Sequence, residues 1–143
     1  MHLTRGNHEA KSMNKLYGFE GEVLAKYDSK TYDLFCDIFC YLPLVYVLNH
    51  KVMITHGGLF SKDGVTLKDI KAIDRVREPP DEGIMCELLW SDPHPMNGRH
   101  PSKRGVGVGF GPDVAHRFLD ENGLSNNIEI FFSYEFSHVG QIS

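Results

Sequence analysis

Three places in the sequence bring together side chains able to do chemistry. Asn7-His8-Glu9 offers an amide oxygen, an imidazole and a carboxylate in a row. An amide oxygen is a neutral ligand for a hard or borderline divalent ion, and imidazole suits iron and zinc. Neighbouring loop residues do not readily face one ion. A division of labour is therefore expected, in which Asn7 ligates and His8 faces a substrate as an acid. The plain alternative is a capped loop or helix start. His56 ends an apolar run and is followed by Gly57-Gly58. A strand end positions a ligand rigidly, and two glycines leave room for a substrate or cofactor. A surface histidine is the alternative. Arg104 precedes Gly105, with Lys103 alongside. Its guanidinium fork can clamp a phosphate or carboxylate, and a solvated basic pair is the alternative. His94, Arg99 and His100 are expected to be surface groups. Asp92 reads as an Asx-type turn and Trp90 as packing. Arg75 and Arg77 read as surface partners of Asp74, Glu78 or Asp81.

The elements that must position these groups follow from periodicity. Phe19, Val23, Leu24 and Tyr27 recur at helical spacing and predict a short helix within 17–27. Tyr32, Phe35, Cys36, Phe39 and Cys40 make the stripe of a second helix from residue 29 or 30 to Tyr41, ended by Pro43. The runs 44–48 and 51–55 are short and rich in β-branched residues, and Asn49-His50 between them predicts a hairpin with a two-residue turn. Thr66 with Asp69 resembles a capping box ahead of a helix from Leu67 to about Ile73. The segment 77–83 is loop. The run 85–90 is apolar and carries no assignment. The segment 94–111, rich in Gly, Pro, His and Arg, reads as a long functional or mobile loop. Pro112 opens a helix to about Asn122, which Gly123 can end. A strand is expected at 128–132.

The 143 residues carry a net charge of −4, and 41% are hydrophobic. That composition is globular, suits one domain and gives no support for nucleic-acid binding. No apolar run is long enough to span a bilayer, and the polar start of the chain is unlike a signal peptide. Cys36, Cys40 and Cys86 are too few for a disulfide framework. Cys36 and Cys40 read as core side chains. A reducing cytoplasmic or nuclear compartment is expected.

Four motifs in order carry a resemblance: 3–9 around Arg5-Gly6-Asn7-His8-Glu9, 54–59 around His56-Gly57-Gly58, 88–93 around Trp90-Ser91-Asp92-Pro93, and Arg104-Gly105-Val106 with Phe110-Gly111. Together they resemble the catalytic domain of the metal-dependent serine/threonine phosphoprotein phosphatases. Residues 17–23, the hairpin at Asn49, and Gly58-Leu59-Phe60-Ser61 with 63–67 resemble one branch of that family. The resemblance implies an α/β fold, a calcineurin-like metallophosphoesterase β-sandwich flanked by helices. It also implies two divalent or trivalent ions (manganese, iron or zinc) about 3.5–4 Å apart that share a bridging water. That water attacks phosphorus in line, and the substrates are phosphoserine and phosphothreonine proteins. By resemblance Asn7 and His56 are ligands of the second metal. His8 protonates the leaving oxygen, Glu9 orders the loop, and Arg104 binds phosphate oxygens.

The departures shape the remaining expectations. The family's Gly-Asp-x-His-Gly and Gly-Asp-x-x-Asp-Arg-Gly motifs are not in the chain, and they supply the other metal's ligands and a second phosphate-binding arginine. The expected organisation is a partial catalytic domain over 1–124 and a divergent tail over 125–143. Ser137-His138-Val139 is a faint echo of a later ligand segment. The chain by itself is expected to be inactive or nearly so. The alternative is a non-catalytic phosphopeptide-binding or regulatory fragment. The branch's helical repeats, which bind a chaperone, are not in the chain, so no chaperone partner is expected. Neither nucleic acid nor membrane is expected as a partner.

Overall fold

The computed structural model describes residues 2–124, together with the backbone of 128–130 and 140–141. A four-stranded sheet has the order β1-β2-β6-β7, from β1 (Val45–Leu48), β2 (Val52–Thr55), β6 (Ile128–Ile130) and β7 (Gly140–Gln141). β1 and β2 are antiparallel, and β2 runs parallel to β6. A parallel neighbour requires a long crossover. Here it carries α4 (Leu67–Lys71), α5 (Ile84–Trp90), a small sheet and α6 (Pro112–Glu121). The small sheet has the order β3-β5-β4, from β3 (Asp92–Pro93), β4 (Arg99–Pro101) and β5 (Val108–Phe110). Ahead of β1 lie α1 (Lys11–Leu16), α2 (Phe19–Lys26) and α3 (Ser29–Tyr41). This is the expected α/β architecture of sheets with flanking helices.

The main core joins β2, α5, β5 and α6 through Met53, Leu88, Leu89, Phe110, Val114 and Phe118. A smaller cluster of Val23, Tyr32 and Cys36 welds α2 to α3, with Phe19 edge-on to Phe35 at 5.4 Å. Burial pushes the Tyr32 hydroxyl up to about 12, with Cys36 adding to it. Cys36 and Cys86 are buried and Cys40 is half-buried, and all three are free thiols.

Local signals mark most boundaries. The Asp28 carboxylate accepts from the Thr31 N–H and starts α3. The capping box at Thr66 and Asp69 is complete. Pro112 opens α6, and Gly123 ends its turn at φ +64°. The expected helix over 17–27 begins later, because Gly18 at φ +88° is left-handed and leaves Phe19 as the first helical residue.

Two expectations need correction, and one unassigned run gains an element. The hairpin turn holds positive φ at Asn49 and His50, and the Lys51 N–H donates to Leu48 O at 2.9 Å. The ladder nevertheless opens at Leu48↔Val52, so Lys51 is an extra residue and β2 starts one residue later than expected. The unassigned apolar run is α5, whose residues 85–89 are all buried. A helix covered on every side has no apolar stripe to read. The segment 94–111 is not one open loop. The His94 N–H donates to Phe110 O and the Gly111 N–H to Gly98 O, both at 2.8 Å, and β4 and β5 fold it into the small sheet. The tail after 124 lies mostly outside the described residues, as does His138.

Candidate active site

The chain passes from Arg5 to Glu9 in a tight loop. The Glu9 carboxylate accepts from the Gly6 N–H at 2.8 Å, and the Glu9 N–H donates back to Gly6 O at 3.2 Å. Glu9 thus closes the loop. The loop aims its two central side chains apart. Asn7 turns inward and is 6% exposed. His8 turns toward α1 and α2 and stacks on the Tyr17 ring, with centroids 4.5 Å apart and planes at 28°. His8 and Tyr17 line a groove of about 540 Å³ with Met13, Asn14 and Phe19.

His56 reaches Asn7 from the opposite direction. It follows Thr55, the last and fully buried residue of β2, whose hydroxyl lies 3.4 Å from both Leu44 O and Leu88 O. Asn7 Oδ1 and His56 Nε2 stand 3.0 Å apart, with His56 9% exposed. Residues 49 positions apart in sequence are therefore brought to one point. With Oδ1 facing the ring, Nε2–H donates to it. Gly6 fits between the Glu9 carboxylate and the His56 ring. A Cβ there would stand 2.6 Å from Glu9 Oε2 and 3.0 Å from His56 Cε1 and Nδ1.

The pair of glycines after His56 has a different purpose from the one expected. A Cβ at Gly57 would lie 2.7 Å from Leu88 O, and one at Gly58 would overlap the Phe110 ring. The Gly57 N–H also donates to Leu88 O at 2.9 Å. The close approach is of the protein to itself, and it presses the end of β2 onto α5 and β5. A groove of about 740 Å³ opens on the sheet side of the loop, lined by Leu3, Gly6, Glu9, Tyr46, Ile54 and His56.

Arg104 is held by Asp92. Its Nε donates to Asp92 Oδ2 at 2.7 Å and its Nη2 to Oδ1 at 3.2 Å. This two-pronged bond raises the Arg104 pKa above its usual value, opposed by desolvation, with a smaller contribution from Tyr17. Tyr17, the ring stacked on His8, thus also lies within the electrostatic reach of Arg104. Asp92 was expected to be a turn residue; it sits in β3 and orients the guanidinium. Trp90 packs against the core, as expected. Arg99 turns away toward Phe60 O and Asp63, both at 2.7 Å. His94 and His100 stack on one another at 3.7 Å.

Arg75 and Arg77 form no ion pair with Asp74, Glu78 or Asp81 among the described residues. Arg77 Nε donates to the Asp74 carbonyl at 3.1 Å and Arg75 Nη2 to Tyr41 O at 3.3 Å. Their own carbonyls accept from Arg5, whose side chain is fully buried. Nothing in the local pattern distinguishes Arg5 from a surface arginine.

The donor set can be tested against a divalent ion. Two neighbouring donors at 2.0–2.1 Å from an octahedral ion stand about 2.9 Å apart. The Asn7–His56 separation of 3.0 Å matches that edge. Both donors are neutral and buried, so the pair is compatible with two positions of one ion, at a separation that is equally that of an ordinary hydrogen bond. Among the described residues there is no group of three or more His, Cys, Asp and Glu that could hold a metal. No helix among them is long and apolar enough to cross a membrane.

The family model for the calcineurin-like phosphoesterases matches residues 1–130. Serine/threonine-protein phosphatase 5 of Arabidopsis thaliana is 66% identical over 124 residues, covering 87% of this chain and 23% of that protein. The human protein of that name is 57% identical over 144 residues, covering 98% and 29%. A solved serine/threonine phosphatase from Saccharomyces cerevisiae, described as similar to human phosphatase PP5, superposes with a TM-score of 0.84 at 46% identity. It covers 89% of this chain and 39% of the solved one. The chain spans about a quarter of the length of the curated relatives it matches. By the family model, these relatives and the shared fold, this chain belongs to the calcineurin-like phosphoesterase family.

Proposed function

We propose that the chain supplies one side of a protein serine/threonine phosphatase site. The observation that carries this reading is the Asn7–His56 pair at 3.0 Å. Asn7 Oδ1 and His56 Nε2 would hold one metal ion, of manganese, iron or zinc. That role would need the proton of His56 on Nδ1, with the hydrogen bond that now joins the pair given up. When bound, such an ion polarises phosphoryl oxygens and lowers the pKa of a water.

The other residues act around the phosphate. His8, turned away from Asn7, presents its imidazole to the leaving serine or threonine oxygen and gives it a proton. Tyr17 holds that ring by stacking. Arg104 offers the Nη1 edge of its fork to phosphate oxygens while Asp92 keeps Nε and Nη2. The arginine also offsets charge that grows on the phosphoryl oxygens.

Two neutral ligands by themselves hold a divalent ion weakly. This supports low phosphatase activity for the chain by itself. Manganese titration with turnover of a phosphoserine peptide tests it. Stoichiometric binding of two ions with efficient turnover would refute the low-activity reading.

The second reading is a phosphopeptide-binding unit without hydrolysis. The observation in its favour is the preset Arg104–Asp92 geometry, which needs no metal. Phosphopeptide affinity lost in Arg104→Ala, with no metal-dependent release of phosphate, would select it.

A further inference from the structure

We propose that Arg5 is a positioning residue, whose buried guanidinium sets where Asn7 and His8 stand. Its functional meaning rests on the reading of those two residues given above, while its geometry does not.

A fully buried cation is costly and is ordinarily matched by a carboxylate. Among the described residues no carboxylate lies within ion-pair distance of Arg5. Its donors are spread over three other parts of the chain. Nε donates to Glu9 O at 2.9 Å, and Nη1 to Arg77 O at 2.7 Å and Arg75 O at 3.3 Å. Nη2 faces Cys40 Sγ at 3.6 Å, and the backbone N–H of Arg5 donates to Pro43 O at 2.8 Å. An apolar side chain would fill the same volume without the desolvation cost. The charge is explained by what it joins.

The Nε–Glu9 O bond closes a ring of five residues, and Asn7 and His8 lie inside it. The other prongs fasten that ring to the end of α3 and to the 75–77 turn. The loop's shape is therefore set by one planar fork anchored outside the loop. Lysine keeps the charge but places its donors on a single nitrogen, which cannot span these directions. Arg5→Lys separates charge from clamp.

The test is hydrogen exchange and imidazole nitrogen spectroscopy on the ¹⁵N-labelled chain. In Arg5→Lys the Gly6 and Glu9 amides are expected to exchange about ten-fold faster, the effect of one lost hydrogen bond on a local opening. The His8 and His56 ring signals shift, while Leu88, Leu89 and Ser91 amides keep their protection. Unchanged loop exchange and ring signals in a folded variant overturn the proposal. So does an equal loss of protection everywhere, which would make Arg5 a general stability residue. If Arg5→Lys does not fold, the native chain decides. Its Arg5 Nε–H must be slowed at least about a hundred-fold relative to an exposed arginine and open together with the Gly6 and Glu9 amides. An Nε–H that exchanges freely refutes the clamp. None of these signals measures phosphate release, so this proposal and the phosphatase reading fail separately.

Discussion

Gly6→Ala probes the contact on which the site is built. Gly6 is not among the positive-φ glycines, so alanine suits its backbone and only space is at issue. The new Cβ would stand 2.6 Å from Glu9 Oε2 and 3.0 Å from the His56 ring. Ordinary contact begins near 3.5 Å, so the carboxylate must retreat by about 0.9 Å and the ring by about 0.5 Å. The first shift stretches the 2.8 Å bond from the Gly6 N–H past its useful range. Losing a bond to a charged acceptor costs about 1.5–3 kcal/mol, less where water reaches the carboxylate. Alanine returns about 0.4–1 kcal/mol by restricting the unfolded chain. The net is a loss of about 1–2 kcal/mol. With a urea slope of about 1–3 kcal/mol per molar, the midpoint falls by about 0.3–2 M. The ring shift also separates His56 from Asn7. Urea unfolding reads the first effect, and the ¹⁵N signals of His56 Nε2 and Nδ1 read the second. A midpoint within about 0.2 M of the native chain, with unmoved His56 signals, would refute the packing argument.

The remaining predictions concern the scaffold. Phe110→Ala, at a fully buried ring, should cost about 3–5 kcal/mol in urea unfolding. Combined with Gly58→Ala it should lose less than the sum of the two, because the new methyl occupies space the ring has left; strict additivity would contradict the contact. Thr66→Ala removes the capping box of a five-residue helix and should lower stability by about 0.5–1 kcal/mol, with faster amide exchange confined to α4. Arg99, and then Arg117, hold the Asp63 carboxyl below its usual 3.8. A carboxyl lowered in the folded state stabilises above its unfolded value and loses that contribution as pH falls through the folded one. The stability gap between the native chain and Asp63→Asn should therefore be constant well above the unfolded carboxyl's value and close as pH falls through the lowered folded one. A gap that persists in acid would show the pairing contributes nothing.

What the sequence by itself determined is local. Helical spacing placed α2, α3 and α6 closely, and the Thr66–Asp69 pair marked the start of α4. These features depend on bonds and faces within about four residues, so a linear pattern carries them. α1 escaped because its six residues bury only Asn14, and α5 because it is buried all round. The same limit separates the site's chemistry from its geometry. The types of Asn7, His8, His56 and Arg104 were legible as candidate donors and acids. That Asn7 meets His56, that Asp92 grips Arg104, and that Arg5 is buried against three carbonyls were decided only in three dimensions. Each joins segments whose separation along the chain has no periodic trace. The glycines at 57 and 58 make the point most sharply. Their freedom was visible in the sequence, but what comes close to them was set by how β2 packs against α5 and Phe110.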